Sequence, residues 1–232
     1  MTVVSTAPPA GTLAPLSALS PTPRSTIRRG AGRARTDRSE LYAVLDEGSI
    51  CHLGVVVDGA PVVLPTVYGR VDDTLYLHGS TGARSLRGAA AGEPISVTVT
   101  LVDGVVHARS VFHFSMNYRC AVVHGGARPV TDPDERLLGL RAIVEQVAPG
   151  AWDHARSPNR KELAATAVLA LDLTESSLKV RSGPPGDDED DVRDRPGVWA
   201  GVVPVHTVAG EPQPCPTVPS GVPLPAHLRS WC

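Results

Sequence analysis

The sequence predicts a mainly β fold with short helices (α+β), in which the strands form a closed or nearly closed barrel. Pro94–Val102 alternates apolar and hydroxyl side chains, which is typical of a strand with one buried face. The pairs Asp58-Gly59 and Asp103-Gly104 separate Val-rich runs and favour tight hairpin turns. The sequence contains at least six strand-like runs and few segments with a helical pattern. Closure is expected because it removes exposed strand edges.

The composition suits one domain with long loops. The 232 residues include 22 Pro and 22 Gly, and only nine are aromatic, so Val-rich strands must supply much of the core. A net charge of −2 gives no general attraction to nucleic acid or to anionic membranes, and we expect neither as a partner. The four cysteines lack the pairing of a zinc site and the density of a secreted scaffold. A cytoplasmic location follows from this pattern.

Residues 1–35 are predicted to form a disordered basic leader. They carry five arginines and no acidic residue, which also resembles an organellar transit peptide. The many prolines before Arg24 oppose the amphipathic helix that such peptides form. The leader therefore precedes the folded domain, which we expect over residues 36–182.

Within the domain, Asp37 is expected to cap a helix over Ser39–Asp46 that Gly48 ends. The predicted order then follows the apolar patterns and turn residues. The next elements are strands at Ile50–Val57, Pro61–Arg70 and Thr74–His78 in one meander, an Ala-rich helix at Gly82–Ala91, and strands at Pro94–Val102, Val105–Phe114 and Tyr118–Val130. A helix follows from Thr131 to about Val147, then a short helix at Asn159–Ala165 and strands at Val168–Leu173 and Leu178–Arg181. The residues expected inside the barrel are Val55, Val57, Val97, Val99 and Leu101.

Two segments follow the predicted barrel. Residues 183–197 contain five acidic residues in succession and are expected to form a solvated acidic loop. Residues 198–232 carry seven prolines, which predicts an extended C-terminal segment packing on the barrel.

One turn has the chemistry of a phosphate site. A strand ending at His78 leads through Gly79, Ser80, Thr81 and Gly82 into a helix that begins with Arg84 and Ser85. Free backbone N–H groups, hydroxyls and a guanidinium at a helix start favour an anion. By itself the pattern is more often an ordinary capped helix with a solvated face.

Several segments together resemble the flavin-nucleotide-binding branch of the pyridoxamine-phosphate-oxidase-like family, to which nitroimidazole-resistance proteins are related. The order of the segments carries the resemblance, which spans roughly Arg33 to Trp231. They are Arg33-Ala-Arg-Thr-Asp37, Leu64-Pro-Thr-Val-Tyr68, Leu77-His-Gly-Ser80 with Arg84 and Arg87, Ala108-Arg-Ser-Val-Phe-His-Phe-Ser-Met-Asn-Tyr-Arg119, Glu162-Leu163 with Thr166, Lys179-Val-Arg-Ser-Gly-Pro-Pro185 and Trp199-Ala-Gly201. The Ser-Met-Asn-Tyr-Arg and Arg-Ser-Gly-Pro-Pro segments are the most specific of these.

The resemblance implies an FMN-binding split β-barrel that works as a homodimer, with two FMN molecules at the subunit interface. It also implies which residues bind the cofactor. Pro65, Thr66, Val67 and Tyr68 would edge the isoalloxazine ring, and His78, Ser80, Arg84 and Ser85 would reach the ribityl phosphate. Tyr118, Arg119 and Trp199 would contribute from the interface side. Many relatives have a second histidine at the position of Phe114 and serine at that of Cys120; we expect Phe114 to fill the core.

The implied function is an FMN-dependent oxidoreductase acting on a small molecule, with reduction of a nitro compound as one candidate. His78 and His113 are the candidate proton relays, because imidazole titrates near neutrality. A non-catalytic flavin-binding or storage protein and a haem-binding split barrel are the alternatives, and a deazaflavin could replace FMN. No metal ligands are expected, because the histidines form no His-x-His pair and lack a neighbouring carboxylate.

Overall fold

In the computed structural model, which describes residues 18–19 and 21–231, the chain forms two antiparallel sheets. The strands are β1 (Ala34–Arg35), β2 (Cys51–Val57), β3 (Ala60–Thr66), β4 (Tyr68–Val71), β5 (Thr74–Ser80), β6 (Pro94–His107), β7 (Ser115–Gly126), β8 (Arg128–Pro129), β9 (Thr166–Asp172), β10 (Ser176–Arg181) and β11 (Gly201–Pro204). The larger sheet has the order β1-β10-β7-β6-β2-β3, with β11 also paired to β6. The smaller sheet has the order β4-β5-β9-β8. The mainly β, split-barrel fold is confirmed, although the two sheets do not close into one barrel.

Six α-helices connect or cover the sheets in the described part of the chain. They are α1 (Arg38–Glu47), α2 (Arg84–Ala90), α3 (Pro133–Val147), α4 (Ala151–His154), α5 (Arg160–Ala165) and α6 (Glu189–Asp194). The side chains of Asp37, Asp132 and Asn159 cap α1, α3 and α5, each by accepting a bond from a first-turn backbone N–H. None of the helices in this part of the chain is long and apolar enough to cross a membrane.

The predicted three-strand meander is divided between the two sheets. The run expected as one strand over Pro61–Arg70 breaks at Val67, where β3 ends in the larger sheet and β4 begins in the smaller one. Asp58 and Gly59 both have positive φ, 52° and 78°, as a type I′ hairpin between β2 and β3 requires. The change of sheet at Val67 turns Tyr68 into the core, where it is fully buried.

The predicted hairpin at Asp103-Gly104 is a bulge instead. β6 continues through it, and its register with β7 shifts between Val102 and Gly104. Two long-range contacts account for the difference, since Asp103 binds Arg119 on β7 and Gly104 lies against Val202 of β11. A Cβ at Gly104 would lie 2.8 Å from the Val202 side chain. The reversal into β7 occurs later, through a single 3-10 turn at Val111–His113.

The main core lies between the two sheets and contains the predicted interior valines. Val55, Val97 and Val99 are no more than 6% exposed, and Val57 and Leu101 pack against the same cluster. Each alternates along its strand with an outward-facing residue, as the period of 2 requires. The prediction of the barrel interior is therefore confirmed.

A second, smaller core lies beneath α3 on the other face of the smaller sheet. It consists of Tyr76, Val130, Ile143, Val168 and Ala170. The backbone of α3 approaches β4 so closely that glycine is required at position 69. This placement makes α3 one wall of the candidate site.

The segments on either side of the barrel are more closely attached than we expected. Leu19 is buried, Ala34 and Arg35 pair with β10, and Arg24 binds Glu175, which differs from a disordered leader over 1–35. Residues 1–17 and 20 of that leader lie outside the described residues. In the segment predicted as a solvated acidic loop, the Asp187 carboxylate accepts hydrogen bonds from Arg109, and its side chain is only 4% exposed. Helix α6 follows this residue. The last segment contains β11, turns at residues 216–217 and 220–221, and a 3-10 turn at Ala226–Trp231.

Candidate cofactor-binding grooves

His78 on β5 is a lining residue of two grooves. Its neighbour Leu77 points into the core, so the strand alternation directs His78 away from it. The Nδ1 atom of His78 is buried and has no hydrogen-bond partner among the described residues. Burial lowers the pKa of this imidazole, which keeps it neutral at neutral pH. A buried polar atom without a partner marks the position as a candidate ligand site.

The smaller groove brings together four of the residues implied by the resemblance. Pro65 and Thr66 at the end of β3, His78 on β5 and Ser85 on α2 line a cavity of about 210 Å³. The remaining lining residues are Leu53, Leu64, Leu77, Gly79, Ala83 and Leu86. The first turn of α2 has neither a side-chain cap nor an acidic residue. The groove therefore combines an apolar floor with polar groups that suit an anion.

Ser80 and Arg84 lie at the exposed rim of this turn. The Ser80 hydroxyl accepts a hydrogen bond from the Gly82 N–H at 3.2 Å. Arg84 is 62% exposed and forms an ion pair with Asp58 in the β2–β3 turn. A ligand anion would compete with Asp58 for the same guanidinium.

Val67 and Tyr68 do not face the groove. Val67 packs against the small core beneath α3. The Tyr68 hydroxyl donates to the carbonyl oxygens of Leu45 at 2.5 Å and Gly48 at 2.9 Å, and burial raises its pKa. Tyr68 therefore fastens the end of α1 to the core. This corrects the expectation that its side chain edges a cofactor.

The Arg119 guanidinium forms ion pairs with two carboxylates of the same chain. Its Nη2 lies 2.8 Å from an oxygen of Glu47 on α1 and 2.8 Å from Asp103 in the bulge of β6. These bonds raise the pKa of the guanidinium. Arg119 thus joins a helix to the bulge, and a contact with a cofactor remains a prediction. Tyr118, its neighbour, is half-buried on the other face of β7.

Trp199 belongs to an exposed apolar surface, which we call the aromatic patch: Val111, Phe112, Phe114 and Trp199. Trp199 and Phe114 both contact the ring of His107, with centroids 5.6 and 5.3 Å away. Phe112 is 84% exposed and Phe114 is 49% exposed, so the prediction that Phe114 fills the core is wrong. A group of large exposed apolar side chains of this kind is typical of a protein interface.

The larger groove was missed by sequence reasoning. It encloses about 400 Å³ between His78 and the α3, α4 and α5 layer. Its lining residues are His78, Leu140, Val144, Ala151, Trp152, Ala155, Arg156, Ser157, Pro158, Glu162, Leu163 and Thr166. Most of this surface is apolar, and the ion pair between Arg156 and Glu162, 2.5 Å long, borders it. The sequence signal for it was Trp152, the one large aromatic between α3 and α5.

His113 is absent from the lining of both grooves. Its Nε2 lies 3.4 Å from a carboxylate oxygen of Asp188, and Asp191 places a third ligand atom within 4.8 Å of the other two. This cluster differs from the expectation that the chain has no metal ligands. Acidic residues in the first turn of α6 also have an ordinary explanation in the helix dipole. Of the two candidate histidines, only His78 lies in a groove.

Comparisons with known proteins agree with this fold. A family model described as pyridoxamine 5'-phosphate oxidase matches residues 37–180. The flavocytochrome Anf3 from Azotobacter vinelandii is 36% identical, with a TM-score of 0.85, covering 92% of this chain and 99% of its own. An FAD and heme binding protein from Mycobacterium smegmatis is 41% identical, with a TM-score of 0.81, covering 86% and 97%. A search of curated proteins found no match.

A more distant structure supports the fold alone. A candidate 5-nitroimidazole antibiotic resistance protein from Bacteroides thetaiotaomicron is 19% identical, with a TM-score of 0.55, and the match covers 63% of this chain and 86% of that one.

Proposed function

The chain belongs to the pyridoxamine 5'-phosphate oxidase family, and from that premise we propose that it binds a flavin nucleotide and a haem as a redox protein. The observation that carries the proposal is the position of His78 in the lining of two grooves, with a buried ring nitrogen that lacks a partner among the described residues. Two relatives more than 30% identical over most of the chain support it, one described as a flavocytochrome and the other as an FAD and heme binding protein.

The larger groove has the volume of a ligand cavity and a lining whose chemistry suits a haem. Ligand cavities typically measure roughly 300–1,000 Å³, and this one measures about 400 Å³. Leu140, Val144 and Trp152 give it apolar walls, and His78 supplies a neutral imidazole, the commonest protein ligand of haem iron. Arg156 at its border suits the propionate charge of such a ligand.

The smaller groove fits part of a flavin nucleotide. Pro65 and Thr66 would flank the ring, while Ser85 and the uncapped start of α2 would hold a phosphate. Its volume of about 210 Å³ is too small to enclose a whole flavin nucleotide. FMN is the expectation from sequence, and the name of the mycobacterial relative favours FAD.

When bound, a flavin supplies hydride chemistry at its N5 atom and a haem supplies one-electron chemistry. The residues of this chain would bind, orient and exclude water from both groups. Because His78 is in the lining of both grooves, the two sites would lie next to each other on β5. The substrate would be a small molecule, with a nitro compound as one candidate.

The test of this proposal is the absorption spectrum of the purified protein, together with identification of its released cofactors. We expect a flavin band and a haem Soret band in the same preparation, with FMN, FAD and deazaflavin separated by chromatography. Because a cofactor can be lost during purification, the purified protein is also reconstituted with haem and with each flavin. Failure of both cofactors to bind would contradict the proposal.

Oxidoreductase activity and cofactor storage are separated by turnover. We expect a nicotinamide cofactor or another donor to reduce the bound flavin, and a candidate substrate to reoxidise it faster than oxygen does. A flavin that is reduced but reoxidised only by oxygen would favour the alternative of a flavin-binding or storage protein.

Arg84→Ala is expected to weaken flavin binding, because the proposal assigns this guanidinium to the phosphate at the start of α2. One charge-assisted hydrogen bond contributes about 1.5–3 kcal/mol, so the affinity should fall roughly 10- to 150-fold. Because Arg84 gives up its ion pair with Asp58 when it binds the phosphate, the loss of affinity should be near tenfold. Arg84→Lys should recover only part of the loss, because lysine lacks the planar fork. Fluorescence titration of the apo protein measures each constant.

Asp58→Asn is the matched variant for this prediction. It removes the competing carboxylate, and asparagine tolerates the positive φ of 52° at this position. Flavin binding should therefore tighten in Asp58→Asn and weaken in Arg84→Ala. If neither substitution changes the dissociation constant, this turn lies outside the site.

We also propose that the protein is a homodimer in which a second copy covers the smaller groove. The support is the limited volume of that groove and the exposed aromatic patch, where Val111 is 91% and Phe112 is 84% exposed. Phe112→Asp should shift the protein toward monomer in light scattering at micromolar concentration and lower its flavin content. Val208, 82% exposed on the C-terminal segment, gives the control Val208→Asp, which should remain dimeric. A monomeric wild type that retains flavin would contradict the dimer.

A further inference from the structure

Arg181 is a buried cation without a carboxylate partner in the described part of the chain. It ends β10 and begins the Arg181-Ser-Gly-Pro-Pro185 segment, and it is only 8% exposed. Its Nη1 donates to the side-chain oxygen of Asn117 and, at 3.5 Å, to the carbonyl of Gly183. Its Nε atom is buried and donates to no described residue. The guanidinium is therefore held in place by neutral groups, and its charge is not balanced.

Comparable arginines in this chain are paired. Arg38, also 8% exposed, lies 2.5 Å from a carboxylate oxygen of Asp73. Arg109, with a buried Nε of its own, lies 2.8 Å from Asp187. Buried charges are costly unless they are paired, which is why such pairs are the rule. Arg181 departs from that rule.

The surroundings of Arg181 add positive rather than negative charge. Burial lowers the pKa of the guanidinium, and the charge of Arg33 lowers it further. Tyr118 lies directly opposite on β7 and brings a hydroxyl to the same face of the sheet. Residues 1–17, 20 and 232, which lie outside the described set, include no Asp or Glu side chain that could neutralise the pair.

We propose that Arg181, together with Arg33, forms a binding site for a phosphate group at the end of β10. Arg33 ends a 3-10 turn, Ala31–Arg33, that contacts β10. Guanidinium groups on two contacting segments match a dianion, and the planar fork of arginine matches phosphate geometry. The phosphate comes either from a free nucleotide or from the flavin nucleotide, and in the second case β10 replaces the start of α2 as the flavin-phosphate site. The second source alone rests on the proposed function. Tyr118 on the same face provides a further hydroxyl for such a ligand.

The probe is inorganic pyrophosphate, titrated calorimetrically into the purified protein at about 0.15 M salt to suppress weak surface binding. The variant is Arg181→Gln, and the matched control is Lys161→Gln. Lys161 carries the same charge, is exposed on α5, and lies on a helix that packs against β9 rather than β10. We expect Arg181→Gln to weaken pyrophosphate binding roughly ten- to a hundredfold. Lys161→Gln should leave it within about twofold.

The flavin content of each protein distinguishes the two sources. Pyrophosphate that binds the flavin-loaded protein indicates a free nucleotide as the ligand. Pyrophosphate that binds only after flavin removal, with reduced flavin affinity in Arg181→Gln, indicates the cofactor's own phosphate. Both results support the site, and a protein that binds no flavin at all overturns the proposed function while leaving the titration intact.

Two results would overturn the site. One is the absence of pyrophosphate binding in both states together with unchanged flavin affinity in Arg181→Gln. The other is an Arg181→Gln protein that binds pyrophosphate as the wild type does. Arg33 is exposed, so Arg33→Gln should fold normally even if Arg181→Gln does not. It should weaken pyrophosphate binding several-fold, and wild-type binding by Arg33→Gln would equally remove the pair as a site.

Discussion

His78→Ala should abolish stoichiometric haem binding while the flavin remains bound. Among the residues that line the larger groove, His78 is the one with an imidazole, and its buried Nδ1 has no partner within the described chain. Burial favours the neutral ring, which is the form that ligates iron, so the imidazole is prepared for this role at neutral pH. Under the proposed ligation of haem iron by His78, removal of this imidazole should reduce the haem affinity at least about tenfold. The Soret absorbance per protein measures the loss.

Chemical rescue separates a ligand from a structural residue at position 78. The alanine variant leaves a space the size of an imidazole beside the groove, so free imidazole in the buffer should restore haem binding. His113→Ala is the control, because His113 lines neither groove and its nearest partner is Asp188 at 3.4 Å. A His78→Ala protein with an unchanged Soret band, or one that also loses flavin and is not rescued, would refute ligation by His78.

The local parts of the fold were predictable from sequence, because they depend on neighbouring residues. Asp37 and Asn159 predict the starts of two helices, because Asp and Asn favour the N-cap position. The alternation in Pro94–Val102 predicts which side chains of that strand are buried. The Asp58-Gly59 turn was equally clear, since few other pairs accept positive φ at both positions.

The errors arose where a distant partner determines the conformation. Asp103-Gly104 has the sequence of a hairpin, yet Arg119 and β11 keep the strand continuous there. Tyr68 lies in a segment that the resemblance assigned to the cofactor, but its hydroxyl donates a hydrogen bond to the Leu45 carbonyl oxygen near the end of α1. Neither partner is near in sequence, so no local pattern could reveal it.

The candidate site divides in the same way. Pro65, Thr66, His78 and Ser85 came from the resemblance and meet in one groove. The larger groove is built by the packing of α3, α4 and α5, and its lining residues have the composition of ordinary helix faces. Sequence patterns predicted α3 and α5 as helices. The space between the two helices, however, depends on how closely α3 approaches β4.

That approach leads to the second large effect, which is expected for Gly69→Ala. A Cβ on Gly69 would lie 2.3 Å from the carbonyl carbon of Ala142 and 2.4 Å from the nitrogen of Ile143. Both are backbone atoms in the middle of α3, so no side-chain rotation can relieve the overlap. The helix must move away from β4, and the small core that contains Ile143 must open. We expect a loss of about 3 kcal/mol or more in the free energy of unfolding.

For a chain of this size, such a loss lowers the melting temperature by roughly 6–12 °C. Unfolding should be measured on the cofactor-free protein, because a bound ligand would add its own stabilisation. Gly186→Ala is the control, since a Cβ there meets nothing within 4 Å, and it should melt as the wild type does. Movement of α3 also displaces Leu140 and Val144 in the larger groove, so haem affinity should fall together with stability, although no lining residue has changed. A Gly69→Ala protein with wild-type melting would show that α3 does not rest on β4 at this distance.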